Sequence, residues 1–98
     1  MLVKIHNGSR LVVAICDSDL IDKKFEEGKL QIDLTTGFFK GDEKTEEEVR
    51  EIIEDARRED ACFNIVGKKS VRLAKEGGVV KEEGVSEIGG VPLGLVLF

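Results

Sequence analysis

Residues 62–80 read CFNIVGKKSVRLAKEGGVV, which is an apolar segment, a glycine, and a basic segment that ends at two more glycines. The β-branched residues before Gly67 favour a strand, and from Lys68 onward the apolar positions recur at helical spacing. Only glycine takes a left-handed cap conformation without steric cost, so Gly77 and Gly78 predict the end of the helix. The stretch therefore predicts a strand, a hinge and a short helix around which the chain is organised.

The predicted helix carries a basic face made of Lys68, Lys69, Arg72 and Lys75, which are three or four residues apart. Two of these lysines lie in the first turn, where the helix dipole disfavours a cation by roughly 0.3–1 kcal/mol. One interpretation is that these cations and the N–H groups after Gly67 bind an anion such as a phosphate. The alternative is a solvated face in which Lys68 and Lys75 pair with distant glutamates.

Glycines near the end of the chain suggest a second part of the same candidate site. Asn64, Gly67 and the pair Gly89-Gly90 could surround a phosphate or carboxylate, because glycine lets a backbone approach a ligand closely. The alternative for Gly89-Gly90, which is followed by Pro92, is an ordinary tight turn.

Composition limits the class of protein. The 98 residues are enough for a single domain (1–98) with one small core. A hydrophobic fraction of 41% argues against a disordered tail, and a net charge of −5 means that any nucleic-acid contact depends on a local basic patch. No apolar run approaches the ~20 residues of a membrane span, so a cytoplasmic location and no membrane partner are predicted.

The clearest local signal is Asn7-Gly8, which lies between two β-rich runs and predicts a hairpin over residues 2–6 and 10–16. A two-residue loop would place Val3 opposite Val12 and put His6 and Cys16 on opposite faces. That geometry excludes a cysteine–histidine nucleophile pair. Cys16 and Cys62 lack metal-site spacing and are interpreted as reduced core thiols.

Other segments complete the predicted fold. Thr45 and Glu48 form a capping box before a helix with an apolar stripe, residues 23–28 read as a loop, and residues 30–34, 85–88 and 93–98 read as strands. The expected fold is α+β, with a mainly antiparallel sheet of about five strands that begins with the Asn-Gly hairpin and is covered by two helices.

Familiar catalytic motifs are absent from the sequence. Gly67-Lys68-Lys69-Ser70 resembles the end of a P-loop, but Cys62 stands where that motif begins, and Lys69 replaces its Ser or Thr. The acidic residues from Asp17 to Asp22 lack the EF-hand spacing, and there is no dinucleotide fingerprint. No catalytic residue, metal or cofactor is therefore predicted, and an enzyme is disfavoured.

Several short motifs follow one another in an order that points to a known family. They are LVKIH at residues 2–6, Cys16-Asp17 with Leu20, Phe25-Glu26-Glu27-Gly28, Phe38-Phe39-Lys40-Gly41, Asn64-Ile65-Val66-Gly67 with Val71 and Ala74, and Ile88-Gly89-Gly90-Val91-Pro92. The chain resembles the small archaeal proteins called domain of unknown function 424. The resemblance implies an archaeal cytoplasmic protein without an established activity, and a loose association with translation genes.

The resemblance is incomplete at one position. Members of that family tend to have a histidine just after the proline, where this chain has Leu93-Gly94-Leu95. If that histidine has a chemical role in relatives, this protein lacks it, which further weakens a catalytic interpretation.

Three hypotheses follow. The preferred one is a non-catalytic module that binds RNA or a ribonucleoprotein, such as the translation machinery, through the basic face, with Lys23 and Lys24 adding to it. The second is a small anionic ligand, bound by a binding protein or an enzyme at Asn64, Gly67 and Gly89-Gly90. The third is an assembly subunit that pairs an exposed apolar strand with another chain, which includes a homo-oligomer.

Overall fold

The computed structural model describes residues 1–97, and it contains eight strands and two α-helices in that part of the chain. The elements in chain order are β1 (Leu2–Asn7), β2 (Leu11–Cys16), β3 (Lys24–Glu27), β4 (Leu30–Asp33), β5 (Asp42–Glu43), α1 (Glu46–Arg58), β6 (Cys62–Val66), α2 (Lys68–Glu76), β7 (Val85–Ile88) and β8 (Val91–Val96). The predicted strand, hinge and helix of residues 62–80 are thus confirmed as β6, Gly67 and α2.

Six strands form one sheet in the order β5-β1-β2-β6-β8-β7, and β3 pairs with β4 in a separate two-stranded sheet. The α+β class and the two helices are confirmed. The prediction of a mainly antiparallel sheet of about five strands is wrong in detail, because the sheet is six-stranded and mixed: β2 and β6 run parallel. The chain between them includes α1, and a crossover of that kind is what a parallel pair requires.

The N-terminal hairpin is confirmed, but its predicted register is wrong. Asn7 pairs with Leu11 and Val3 pairs with Ile15, so the loop consists of residues 8–10 and Asn7 belongs to β1. The three-residue shift exchanges the faces of β2, because side chains alternate along a strand. His6 pairs with Val12 and therefore lies on the same face as Cys16, four residues farther along β2.

The large sheet separates two hydrophobic cores. The helix-side core lies between the sheet and both helices, and it includes Val13, Ile15, Val49, Ile53, Phe63, Ile65, Val71 and Leu73. The hairpin-side core lies on the opposite face, and it includes Ala14, Cys16, Leu34, Phe39, Val66 and Val91. Alternation along β2 and β6 explains the division, because successive residues contribute to opposite cores.

Local expectations have mixed outcomes. Thr45 caps α1 through the predicted capping box, and Val49, Ile53 and Ala56 of its apolar stripe are buried. Residues 24–27, predicted as a loop, form β3 instead, because they complete a hairpin with β4 that no short-range pattern indicates. The predicted last strand is confirmed through Val96, but Phe98 lies outside the described residues.

No helix within the described residues is both long enough and apolar enough to cross a membrane.

Candidate functional site

A cleft of about 810 Å³ opens where the parallel strands β2 and β6 reach their carboxyl ends. Asp17 and Ser18 follow β2, Gly67 follows β6, Gly90 lies in the turn before β8, and Pro92 lies at the start of β8. The carboxyl ends of neighbouring parallel strands are a common position for ligands in sheets with helical crossovers, because loops diverge there and leave a crevice. The cleft is therefore the main candidate site.

Asp17 forms the inner wall of the cleft. Its carboxylate is 7% exposed and accepts hydrogen bonds from the backbone N–H groups of Lys69, at 3.1 Å, and Ser70, at 2.8 Å. The buried hydroxyl of Ser70 donates a third bond, of 2.7 Å, to the same carboxylate. Asp17 thus caps α2 from the end of β2. It binds two of the backbone N–H groups after Gly67 that were predicted to bind an external anion.

Gly67 makes this cap possible. Its φ is +112°, a conformation that residues with a side chain rarely adopt, and a Cβ placed there would lie 2.3 Å from Cγ of Asp17. Its N–H donates to the carbonyl of Pro92 at 2.8 Å, which connects the helix start to the first residues of β8. The backbone at Gly67 therefore fixes three walls of the cleft relative to one another.

The predicted basic face divides into two halves. Lys68 and Lys69 line the cleft, their side chains are exposed, and no carboxylate lies within 4.0 Å of either ammonium group among residues 1–97. By contrast, Arg72 binds Glu46 at 2.5 Å, and Lys75 binds Glu82. Two of the four predicted cations are thus paired with glutamates, as the alternative interpretation stated for Lys75, and two are available to a ligand.

Four acidic side chains also line the cleft, and three of them are already bound. Asp17 caps α2, Glu46 pairs with Arg72, and Glu43 accepts hydrogen bonds from the Met1 amino group and the Ser18 hydroxyl. These two bonds, the Met1 bond first, hold the pKa of Glu43 below its ordinary value. Asp19 has no ion pair or hydrogen-bond partner within the described residues.

A third lysine, Lys44, also lines the cleft. Its backbone N–H donates to the Met1 carbonyl at 2.8 Å, and in residues 1–97 no acidic group forms an ion pair with its side chain. The cleft therefore holds three lysines without an ion-pair partner against two such carboxylates, Asp17 and Asp19, because the hydrogen bonds to Asp17 come from neutral groups. The unpaired charge of the cleft is thus positive by a single charge, although the net charge of the whole chain is −5.

The predicted glycine pair is a tight turn that also borders the cleft. Ile88 pairs with Val91, so Gly89 and Gly90 form a two-residue loop, and both have the positive φ that such hairpin turns require. Gly90 lines the cleft, whereas the N–H of Gly89 donates to the carboxylate of Glu27 at 3.1 Å. The two alternatives for this pair therefore do not exclude each other.

Asn64 does not join this group. It lies on the opposite face of β6 from the helices and lines a separate groove of about 340 Å³ with Phe38, Val66, Leu93 and Leu95. The structure brings Gly67, Lys68, Lys69 and Gly90 to one cleft, but it places Asn64 elsewhere. Alternation along β6 is the reason, because Asn64 pairs with Ala14, whose side chain belongs to the hairpin-side core.

The two residues with nucleophile or base chemistry remain apart. The Nε2–H group of His6 donates a hydrogen bond to the carbonyl of Phe38, at 3.0 Å, and its ring stacks on that phenylalanine. Burial, followed by the charges of Asp17 and Asp19, raises the pKa of the Cys16 thiol to about 12. The prediction that His6 and Cys16 lie on opposite faces of the hairpin is wrong. The two side chains are still apart, because four residues of strand at ~3.3 Å each separate Cys16 from the partner of His6.

The sequence pointed to the cleft without its central residue. In the sequence, Asp17 is only one residue of an acidic turn. Its role as a helix cap leaves no local pattern, because the N–H groups that it binds are more than fifty residues away. A usable signal was the absence of any Ser, Thr, Asp or Asn at the start of α2, which implied a cap from elsewhere. No group of three or more His, Cys, Asp or Glu that could hold a metal occurs in the described part of the chain.

This chain is similar to a known protein family and to a known crystal structure. Residues 6–97 match the family described as "Protein of unknown function (DUF424)". The chain belongs to the DUF424 family. A crystal structure of an uncharacterized conserved protein from Methanopyrus kandleri superposes with a TM-score of 0.83 at 23% identity, covering 97% of this chain and 88% of that one.

At that identity the likeness to the Methanopyrus kandleri structure shows that the two chains share a fold, and it says nothing about activity. No curated protein matches the chain. The archaeal source and the association with translation genes that the resemblance implied stay predictions for this DUF424 protein.

Proposed function

We propose that this DUF424 protein is a non-catalytic binding protein whose cleft at the ends of β2 and β6 binds an organic anion through a phosphate or carboxylate group. The observation that carries the proposal is the charge balance of the cleft. Lys44, Lys68 and Lys69 have no acidic partner among residues 1–97, while Glu43 and Glu46 are bound to other groups. A bound anion would supply the missing charge.

The same charges argue against a long RNA-binding helix face. Arg72 and Lys75 are paired with Glu46 and Glu82, so a phosphate backbone following α2 would have to compete with bonds inside the protein. Contact with RNA or a ribonucleoprotein therefore becomes the alternative outcome of the test. An organic anion needs only the lysines at the cleft that have no acidic partner among residues 1–97.

The test uses two double variants that remove the same charge from the same helix. In one, Lys68 and Lys69 are changed to Gln, and in the other, Arg72 and Lys75 are changed to Gln. Phenyl phosphate is titrated into each ¹⁵N-labelled protein, with phenol as the uncharged control ligand. The first variant is expected to lose about tenfold in affinity, because two exposed ammonium–anion pairs together contribute about 1.4 kcal/mol. The second is expected to weaken binding by a smaller factor, because it removes no lysine from the cleft but leaves Glu46 without its Arg72 partner.

A parallel titration with a single-stranded RNA oligonucleotide separates the two interpretations. If the RNA binds more tightly than phenyl phosphate and both double variants weaken it, the whole basic face acts together and the RNA hypothesis is correct. If neither ligand shifts the resonances of the cleft residues, the anion-binding proposal is wrong.

A second proposal is assembly through β8, and it rests on an unpaired strand edge. β7 pairs with β8 only as far as Gly94, and the side chains of Leu95 and Leu97 beyond that point are 55% and 71% exposed. An unpaired edge with exposed leucines is where another chain could add a strand. Sedimentation of the wild type and a Leu95→Lys variant tests it: a monomer at every concentration in both would remove the homo-oligomer version.

A further inference from the structure

We infer that the ligand of the cleft is amphipathic, with one anionic end and an apolar body, rather than a free inorganic anion. This inference rests on the anion-binding function proposed above and adds the class of the ligand. It comes from two features of the cleft, which are the N–H groups already used by Asp17 and the apolar residues that line the remaining wall.

The first feature limits what an anion alone can gain. Small phosphate sites depend on backbone N–H groups at a helix N-terminus, which are fixed in direction and need no ordering. In α2 the N–H groups of Lys69 and Ser70 already donate to Asp17 at 3.1 and 2.8 Å, and that of Val71 donates to Gly67. A ligand anion therefore meets chiefly lysine side chains.

Exposed ammonium groups give little affinity by themselves. Lys68 and Lys69 are exposed, so their attraction to an anion is screened by water and salt, and holding a long side chain still costs entropy. Free phosphate is consequently expected to bind weakly. Most of the binding free energy of a tighter ligand has to come from another part of that ligand.

The second feature supplies that contribution. The apolar wall of the cleft is lined by Met1, Leu20, Val91 and Pro92; Leu20 and Pro92 are partly exposed, whereas the side chains of Met1 and Val91 are almost fully buried. Met1 packs against the helix-side core, while Leu20 packs against the hairpin-side core, so both side chains are held by the fold. An apolar group that covers this wall gains roughly 0.8 kcal/mol for each methylene removed from water.

The acidic groups of the cleft restrict the charge of the ligand. Asp19 has no partner in residues 1–97, and the carboxylates of Glu43 and Glu46 also line the cleft. A polyanion would bring its further charges close to these carboxylates, where like charges repel. One anionic end near Lys68 and Lys69, followed by an apolar body, avoids that repulsion and fits a cleft of about 810 Å³.

A chain-length series tests the inference on the wild-type protein. Inorganic phosphate, methyl phosphate, butyl phosphate and hexyl phosphate are titrated at one ionic strength, with hexanol as the uncharged member. Affinity is expected to rise with each added methylene, by up to about fourfold, until the wall is covered. The Lys68→Gln, Lys69→Gln double variant is expected to weaken every phosphate by a similar factor and to leave the dependence on chain length unchanged.

The outcomes distinguish this inference from the function on which it rests. If inorganic phosphate binds as tightly as hexyl phosphate, the amphipathic class is wrong and anion binding stands. If no phosphate binds, or if hexanol binds as well as hexyl phosphate, the proposed anion-binding function is wrong and the inference falls with it. A Leu20→Ala variant adds a check, because it should reduce the gain per methylene without changing the affinity for inorganic phosphate.

Discussion

The two α-helices begin in opposite ways. At α1, Thr45 and Glu48 exchange hydrogen bonds of 3.0 and 3.1 Å within one exposed turn. At α2, Gly67 offers no side chain, and the cap is Asp17, a buried residue at the end of another strand. The first cap is local and stabilises one helix, whereas the second joins a helix to the sheet.

This difference has energetic consequences. An exposed cap that is lost is replaced by water, so its removal costs little. When a buried cap is lost, its donors have no alternative partner, and the full desolvation penalty of each one appears in the free energy of unfolding. The start of α2 should therefore be far more sensitive to mutation than the start of α1, although α2 is the shorter helix.

The largest effect is expected for Gly67→Ala. The new Cβ would lie 2.3 Å from Cγ of Asp17, and the alanine would have to adopt a φ of +112°. The buried cap and the backbone would therefore both have to move. We expect a loss of about 4 kcal/mol or more in the free energy of unfolding, measured by urea denaturation. Gly90→Ala is the matched control, because Gly90 has a φ of +81° with nothing within 4 Å of its Cβ position.

The control separates the backbone cost from the clash with Asp17. Gly90→Ala is expected to lose only about 1–2 kcal/mol, the cost of the left-handed conformation. Equal losses in the two variants would mean that Asp17 gives way easily and that its cap is not a rigid part of the cleft.

The next largest effect is expected for Asp17→Ala. The change removes the acceptor for the N–H groups of Lys69 and Ser70 and for the buried Ser70 hydroxyl. We expect the protein to lose about 3 kcal/mol of stability, which corresponds to a fall in Tm of roughly 12–24 °C for a domain of this size. Calorimetry measures it directly, and Asp17→Asn should lie between this variant and the wild type because it keeps one acceptor.

A smaller effect is expected for Thr45→Ala, the equivalent change at α1. Loss of this exposed cap should cost about 1 kcal/mol of stability, as N-cap substitutions do in other helices. Hydrogen bonds from the Thr45 backbone and hydroxyl lower the pKa of Glu48, so the pKa of this carboxyl should rise in the variant, which an NMR titration can follow. In the wild type, the stabilisation from the ionised Glu48 carboxylate is fully present above the ordinary pKa of a glutamate. It is lost as the pH falls through the lowered pKa of Glu48. A loss equal to that of Asp17→Ala would contradict the distinction between the two caps.

The smallest effect is expected for Arg72→Gln. Arg72, in the second turn of α2, binds Glu46 in the first turn of α1 at 2.5 Å, but both side chains are about half exposed. Such pairs contribute about 0.5 kcal/mol or less, because water screens them. Denaturation at low and high salt measures this difference, and a loss above 1 kcal/mol would show that the two helix starts are coupled energetically.

The same contrast explains what the sequence could predict. The α1 cap, its apolar stripe, the hairpin of β1 and β2, and the strand, glycine and helix of residues 62–80 all depend on neighbours within a few positions, and all were predicted. The parallel pairing of β2 with β6 and the Asp17 cap depend on residues about fifty positions apart, and neither was predicted. The hairpin register failed for a third reason, because Asn-Gly favours a two-residue loop and the chain uses three.

For the candidate site the outcome is similar. The sequence predicted candidate residues by type, and the structure brings only Gly67, Lys68, Lys69 and Gly90 of them to one cleft. Which cations remain available depends on Glu46 and Glu82, and no spacing rule connects these glutamates to Arg72 and Lys75.

The parallel pairing of β2 with β6 also means that, during synthesis on the ribosome, β2 is made well before the strand that pairs with its inner edge. The hairpin of β1 and β2 leaves the exit tunnel first, and the inner edge of β2 then has no partner until residues 62–66 have been made. An unpaired edge of this kind can pair with another nascent chain. The Asp17 carboxylate, at the end of that same strand, also has to wait for Ser70 to emerge before it is satisfied. The first half of this protein is therefore most exposed to misassembly during its own synthesis, and slow translation of the segment before β6 should lengthen that exposure.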